Sequence, residues 1–226
     1  MHAIILAGGK GSRLQPWHAP KCLLPINGVT ILQRLLTHLF DSKHVDKVII
    51  CTGYRGDDVR RSVWAHGWDT DKIMFDDVGE IASMGERLKH VREGLLHGHE
   101  QVMICYGDEL ADVDIGQLLT RHYQHDTRTK NHPLVTFAVT KATMPGGVLS
   151  YNNHITENHW LWMNIGFVVI EAEAWESLQP TDGVSDWINR VAEKKGWLQV
   201  QVHEHNGKRA TVNSLADLAY AEEVWK

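Results

Sequence analysis

Three glycines within four residues, Gly8, Gly9 and Gly11, are followed at once by Ser12 and Arg13, and a second cation, Lys21, stands eight residues further on. Glycine has no Cβ, so backbone N–H groups there can approach phosphate oxygens closely. Arg13 adds a planar fork suited to phosphate, and Lys21 a mobile point charge. A glycine loop with two fixed cations is a way to hold a polyphosphate. Neither common glycine-loop device fits. The P-loop order GxxxxGK[ST] fails because Gly9-Lys10 is followed by Gly11, and the dinucleotide order GxGxxG fails because Leu14 stands where the third glycine belongs. For the glycines alone, a tight turn with two solvated cations is an equal reading. The joint pattern with Pro20-Lys21 and Leu23-Leu24-Pro25-Ile26 is more specific.

Those residues need elements to position them. His2–Ala7 is a short apolar run stopped by glycine and reads as a buried strand. From Thr30 onward Ile31, Leu32, Leu35, Leu36, Leu39 and Phe40 fall on one helical face. Further strands are expected over 47–52, 72–75 and 101–106, alternating with helices over 57–66, 85–96 and 114–125. The second half is less regular: strands over 134–140 and 160–171, helices near 172–178 and 183–195, strands near 197–203 and 209–212, and a last helix over 214–225. Continuous apolar strands alternating with helices belong to a parallel sheet covered on both faces. The expected fold is a single-domain, three-layer α/β/α arrangement over residues 1–226 with a mostly parallel mixed sheet. Its more regular half spans about 1–120 and its less regular half about 121–226. Ligands of such sheets sit outside the carboxyl ends of the strands. Gly8 to Arg13 and Asp108, which follows the 101–106 strand, should therefore face one crevice.

Composition excludes several other classes. The chain has 226 residues, 43% of them hydrophobic, and nine tryptophans, enough for one sizeable core. A net charge of −5 without a basic stripe argues against a nucleic-acid partner. Cys22, Cys51 and Cys105 are odd in number and far apart, which reads as three reduced thiols in a cytoplasmic protein. The apolar stretch at the N-terminus is too short for a secretory leader, and no run reaches membrane-spanning length, so no membrane partner is expected. The pairs His97/His99 and His203/His205 lack zinc-ligand company. His122 and His125 read as solvated. Trp160, Trp162, Trp187, Trp197 and Trp225 read as core or interface, and a homo-oligomer is left open.

The pattern LAGGKGSRL, followed by PKCLLPI, resembles the signature of the sugar-1-phosphate nucleotidyltransferases. Tyr106-Gly107-Asp108, Asp112-Val113-Asp114 and Gly85-Glu86-Arg87-Leu88-Lys89 are similar to stretches of the glucose-1-phosphate cytidylyltransferase branch. Asn164-Ile165-Gly166-Phe167 and the tail Thr211-Val212-Asn213-Ser214 with Asp217-Leu218 resemble further family stretches. The resemblance implies an enzyme that joins an NTP to a sugar 1-phosphate with release of pyrophosphate, aided by Mg2+. It implies a nucleotide site of Leu6, Ala7, Gly8, Gly9, Gly11, Ser12, Arg13 and Gly85, with Leu6, Ala7 and Gly85 around the base. It implies a nucleotide-binding half over about 1–120 and an acceptor-binding half over about 121–226, with an acceptor site of Gly147, Glu157, Asn164 and Gly166. Arg13, Lys21 and Asp108 would carry catalysis, and Asp108 and Asn213 would hold the metal.

Two positions depart from the family pattern. Asn213 stands where a second metal aspartate is expected, with Asp217 or phosphate oxygens as compensation. Asn158 stands where a lysine usually grips the sugar phosphate, with His159 or Lys141 as substitutes. CTP is the favoured nucleotide, and UTP, dTTP and GTP stay open. The departures also leave open a smaller phosphate or phosphonate acceptor, and a catalytically silent nucleotide-binding regulatory protein.

Overall fold

The computed structural model describes residues 1–14, 17–96, 101–124, 133–143, 148–149, 155–156 and 160–226. Its centre is β1 (His2–Leu6), an almost wholly buried strand. It is flanked in parallel by β2 (Lys47–Thr52) and β4 (Gln101–Tyr106), with Ile4 level with both Ile49 and Ile104. Beyond β2 lies β3 (Ile73–Asp77), also parallel. After β4 comes the short β5 (Glu109–Ala111), which leaves the main sheet. The strands β6 (Val135–Thr143), β7 (Trp160–Glu171) and β8 (Val200–Glu204) complete a seven-stranded sheet in the order β8-β6-β7-β4-β1-β2-β3. Only β7 runs antiparallel to its neighbours, so the sheet is mixed but mostly parallel, as expected.

Alternation along β1 assigns the helices to faces. Ala3 and Ile5 point into a core shared with α1 (Ile31–Asp41), α2 (Gly56–Ala65) and α4 (Ile115–Tyr123). Ile4 points the other way, into a core with α3 (Met84–Gly94) and α5 (Val184–Lys195). Helix starts follow local chemistry. Thr30 caps α1 through a reciprocal bond with Gln33, and Ser83 caps α3 with Glu86. Among the described residues no helix is long and apolar enough to cross a membrane.

Two details position the crevice. The strand β9 (Arg209–Thr211) pairs antiparallel with β5, and the Val212 N–H then donates to the Asp108 carbonyl at 3.1 Å. The chain's tail is thereby fastened beside the end of β4. A small third cluster, including Leu14, Leu24, Ile26, Leu110 and Val212, fills the space beneath this junction. It anchors the final helix α6 (Leu215–Val224) through Ala221.

Three expectations need revision. His122 is fully buried, not solvated: its Nδ1 is hydrogen-bonded with Thr136 Oγ1 at 2.9 Å and its Nε2 with Glu171 Oε1 at 2.7 Å. Its helix turns that position onto the sheet, and two buried hydrogen-bond partners compensate for its desolvation. Trp187 is core and Trp225 packs on the third cluster, whereas Trp162 and Trp197 are exposed and so are not core, which narrows their reading to interface. Residues 197–199 form a 3-10 turn, so the strand there starts only at Val200. His125 lies outside the described residues.

Candidate active site

The loop after β1 begins as a continuation of the sheet. The Ala7 N–H still donates to the Cys51 carbonyl at 2.9 Å, and the Gly8 carbonyl accepts from the Tyr54 N–H at 3.3 Å. Gly11 then turns with φ of +63°, a conformation that favours glycine, and Ser12–Leu14 closes as a 3-10 turn. A Cβ on Gly11 would lie 3.3 Å from Lys21 Cβ, so the loop and the lysine stem pack directly. A second 3-10 turn, Lys21–Leu23, starts after Pro20 and carries Lys21 inward. Tyr54 Oη and the Arg55 guanidinium both donate to the His18 carbonyl, at 3.1 and 2.6 Å, tying the 17–20 segment to the end of β2.

Beside this loop lies a cavity of about 510 Å3. Leu6, Ala7, Gly8, Gly9 and Lys10 line one side; Lys21, Cys22, Tyr106, Gly107 and Asp108 another; Glu80, Ala82, Met84 and Arg87 a third. It opens at the carboxyl ends of β1 and β4, where the alternating pattern puts ligands in an open α/β sheet.

Lys21 is the centre of its polar wall. The ammonium donates to Asp108 Oδ2 at 2.5 Å and to Asn213 Oδ1 at 2.7 Å. Asp108 comes from the end of β4 and Asn213 from the turn after β9. Both are held by backbone, Asp108 through its bond from Val212 and Asn213 through its N–H, which donates to Asp217 Oδ2 at 2.9 Å. Asp217 Oδ2 also accepts from the Ser214 N–H, completing the capping box in which Ser214 caps α6. Next to Asp108, burial pushes the Glu109 carboxyl up to about 7, against the opposing hydrogen bond from Thr211. Burial also pushes the Cys22 thiol up to about 12, so this cavity-lining sulfur is a packing group and not a nucleophile.

The residues also fit a magnesium ion. Two oxygens converge on one point, one charged and one neutral, and Mg2+ takes one or two protein carboxylates when phosphates supply the rest of its shell. Asp108 and Asn213 would hold it. Among the described residues no group of three or more His, Cys, Asp or Glu side chains offers a self-sufficient site. Any ion here would therefore draw on phosphate oxygens.

Of the other residues singled out from the sequence, Arg13 is exposed and does not line the cavity. Asn164 and Gly166 flank Tyr106: Asn164 Nδ2 donates to Tyr106 Oη at 3.3 Å, and Gly166 has φ of +74° with its Cα against the Tyr106 ring. The pairing of β7 and β6 shifts register between Asn164 and Val168, and Asn164 Oδ1 caps that irregularity by accepting from the Gly166 N–H. Gly85 does not line the cavity. A Cβ there would meet the Gln179 and Pro180 carbonyls at 2.3 and 2.7 Å, so the glycine serves close helix-to-loop packing. Lys141 pairs with Glu204 at 3.1 Å and lies over the Trp162 ring. Gly147, Glu157, Asn158 and His159 lie outside the described residues.

Sequence reasoning missed Arg87. Its guanidinium is buried against Gly8 and Gly53 and donates to the carbonyls of Thr52 and Gly79, the latter at 2.6 Å. The signal was present: Arg87 occupies the same helical face as Met84, Leu88 and Val91, where a charge needs a reason. Lys10 and Glu80 were missed as well. They line the cavity and form an exposed ion pair at 3.4 Å.

Known proteins resemble the chain over most of its length. The model of the MobA-like NTP transferase domain matches residues 3–193. The glucose-1-phosphate cytidylyltransferase of Salmonella typhi is 25% identical over 254 aligned positions, which cover 100% of this chain and 96% of that protein. Among solved structures, HddC from Yersinia pseudotuberculosis complexed with GMP-PN superposes with a TM-score of 0.72 at 16% identity, over 100% of this chain and 99% of that one. The inositol-1-phosphate CTP transferase from T. maritima gives 0.70 at 18% identity, over 99% and 94%.

Proposed function

The chain belongs to the MobA-like NTP transferase family, a family of nucleotidyltransferases, and from that premise we propose that it joins an NTP to a sugar 1-phosphate, releasing pyrophosphate. The acceptor's phosphate oxygen attacks the α-phosphorus of the NTP, and the bond to the β-phosphate oxygen breaks with pyrophosphate leaving. A phosphate monoester has its second pKa near about 6 and is largely dianionic at neutral pH. It needs no general base, so catalysis reduces to alignment and charge neutralisation.

The observation that carries this reading is the Lys21 ammonium, set on the cavity wall between Asp108 and Asn213 and packed beneath the glycine loop. Backbone amides of Gly8 to Ser12 cradle the triphosphate, with Arg13 recruited from solvent. Lys21 stabilises charge that grows on the α-phosphate and the leaving group. Magnesium held by Asp108 and Asn213 would supply further neutralisation of the same phosphates. Leu6 and Ala7 offer an apolar wall to the base, with Arg87 beneath Gly8 adding a fixed positive charge. Asn164 and Gly166, around Tyr106, begin the acceptor side. CTP is favoured by the Tyr106–Asp108 and Gly85–Lys89 stretches and by the cytidylyltransferase that aligns end to end with the chain.

The test is pyrophosphate release with each NTP against a panel of sugar phosphates. Lys21→Ala should slow it by at least ~100-fold, the scale for losing one preorganised charge stabiliser. Activity within a few-fold of the wild type would remove Lys21 from this role. CTP binding without turnover, converted to turnover by Asn213→Asp, would instead support a silent regulatory protein.

A further inference from the structure

We propose that the Lys21 ammonium and the divalent cation compete for the same two oxygens, so that metal enters the site only with a nucleotide whose phosphates draw Lys21 away. The inference rests on the reading of Asp108 and Asn213 as metal ligands given above. Lys21 is almost enclosed, with 12% of its side chain exposed, and it donates to Asp108 Oδ2 and Asn213 Oδ1 at 2.5 and 2.7 Å. The two acceptors are fixed from the backbone side. Val212 donates to the Asp108 carbonyl, and the Asn213 N–H donates to Asp217. The component free to move is the lysine, a point charge on a flexible four-carbon stem.

Charge balance sets the consequence. One carboxylate and one ammonium already cancel at this point. A divalent ion arriving alone must expel Lys21 or sit beside it, and at such short range both routes oppose binding. A triphosphate changes the balance, because its oxygens accept the ammonium and also complete the metal's shell. Metal and nucleotide then raise each other's affinity by the same factor. The amide at 213 acts in the same direction: a second carboxylate there would attract metal without nucleotide, whereas an amide oxygen ligates but adds no charge. In the exchange Lys21 moves to the phosphates and the metal takes over neutralisation of Asp108.

Mn2+ titration followed by the electron paramagnetic resonance signal of the free ion tests this on the full chain. The proteins are the wild type, Lys21→Met, Asp108→Asn and the double variant, each with and without α,β-methylene-CTP. Without nucleotide, Lys21→Met should bind Mn2+ about tenfold more tightly than the wild type, as removal of an adjacent positive charge predicts. The gain should vanish in the double variant. A merely structural lysine would give the opposite sign, because its loss would loosen the site. Lys21→Gln, whose amide can still donate one bond, is the second variant should Lys21→Met fail to fold. Equal metal affinity in the wild type and both lysine variants, while Asp108→Asn still abolishes Mn2+ binding with nucleotide, overturns the competition and leaves the site reading intact. Unchanged Mn2+ binding in Asp108→Asn with nucleotide present overturns both.

Discussion

Replacing Gly85 by alanine would put a methyl carbon 2.3 Å from the Gln179 carbonyl oxygen and 2.7 Å from that of Pro180. Ordinary contact begins near 3.4 Å, so α3 and the 179–180 segment must separate by about 1 Å. Neither side yields easily. The segment is pinned by Asp182, whose Oδ2 accepts from the Gln179 N–H at 2.8 Å, and by Arg190, which donates to Asp182 at 2.7 Å. The helix is pinned by Ser83, which caps α3 and donates to the Pro180 carbonyl. Overpacking against backbone costs about 1–3 kcal/mol, here toward the upper end. The better helix propensity of alanine returns about 0.5–1 kcal/mol. The net loss is about 1–2 kcal/mol, which for a chain of this size lowers Tm by roughly 2–8 °C. Thermal unfolding followed by circular dichroism measures this, and calorimetric CTP binding well below Tm should show affinity within a few-fold of the wild type. An unchanged Tm with nucleotide affinity lost would refute the packing argument and return Gly85 to the base pocket.

The same junction predicts a pH effect. The hydrogen bond from Arg190 holds the Asp182 carboxyl below the usual carboxylate range, so its stabilisation is present above that range and is lost as pH falls through the folded value. Arg190→Met should therefore lower Tm by a few degrees at pH 7, with the difference closing below about pH 4. An equal gap at pH 3 and pH 7 would count against the pair. On the opposite end of the sheet, His122→Leu removes one partner from buried Glu171 and Thr136 and should cost about 1–3 kcal/mol. Pyrophosphate release per folded molecule should stay unchanged, because Glu171 pairs with Gln101 at the start of β4, remote from the cavity; a selective loss of activity would contradict that placement.

How much was legible in the sequence depended on whether a residue's role was local. The sheet was readable because its strands are continuous apolar runs, and Thr30 was readable as a helix start because the apolar face of Ile31 to Phe40 follows it directly in the chain. The glycine loop was readable because backbone access is a property of the residue type itself. Arg87 was not, because its meaning comes from carbonyls at the ends of β2 and β3 that only the fold assembles. His122 failed for the same reason: helix α4 looked polar, but Thr136 and Glu171 arrive from two other strands. The packing of Gly85 was not legible because its sequence neighbours Met84 and Arg87 line the cavity while an added Cβ on Gly85 would meet the Gln179 and Pro180 carbonyls.

Lys21, Asp108 and Asn213 show the boundary most sharply. Each was identifiable by type and motif, yet as three separate parts. What brings them together is a two-stranded pairing of Glu109–Ala111 with Arg209–Thr211, too short to announce itself in composition. Because that pairing fixes the two oxygens and leaves the ammonium on a flexible stem, the departure at Asn213 changes meaning. Read alone, an amide for a carboxylate is a weakened ligand. Set beside Lys21, it is what keeps one ammonium sufficient to balance the pair. On the proposed reading it would make the phosphates of the incoming nucleotide, rather than the protein, the dominant source of negative charge for a metal ion.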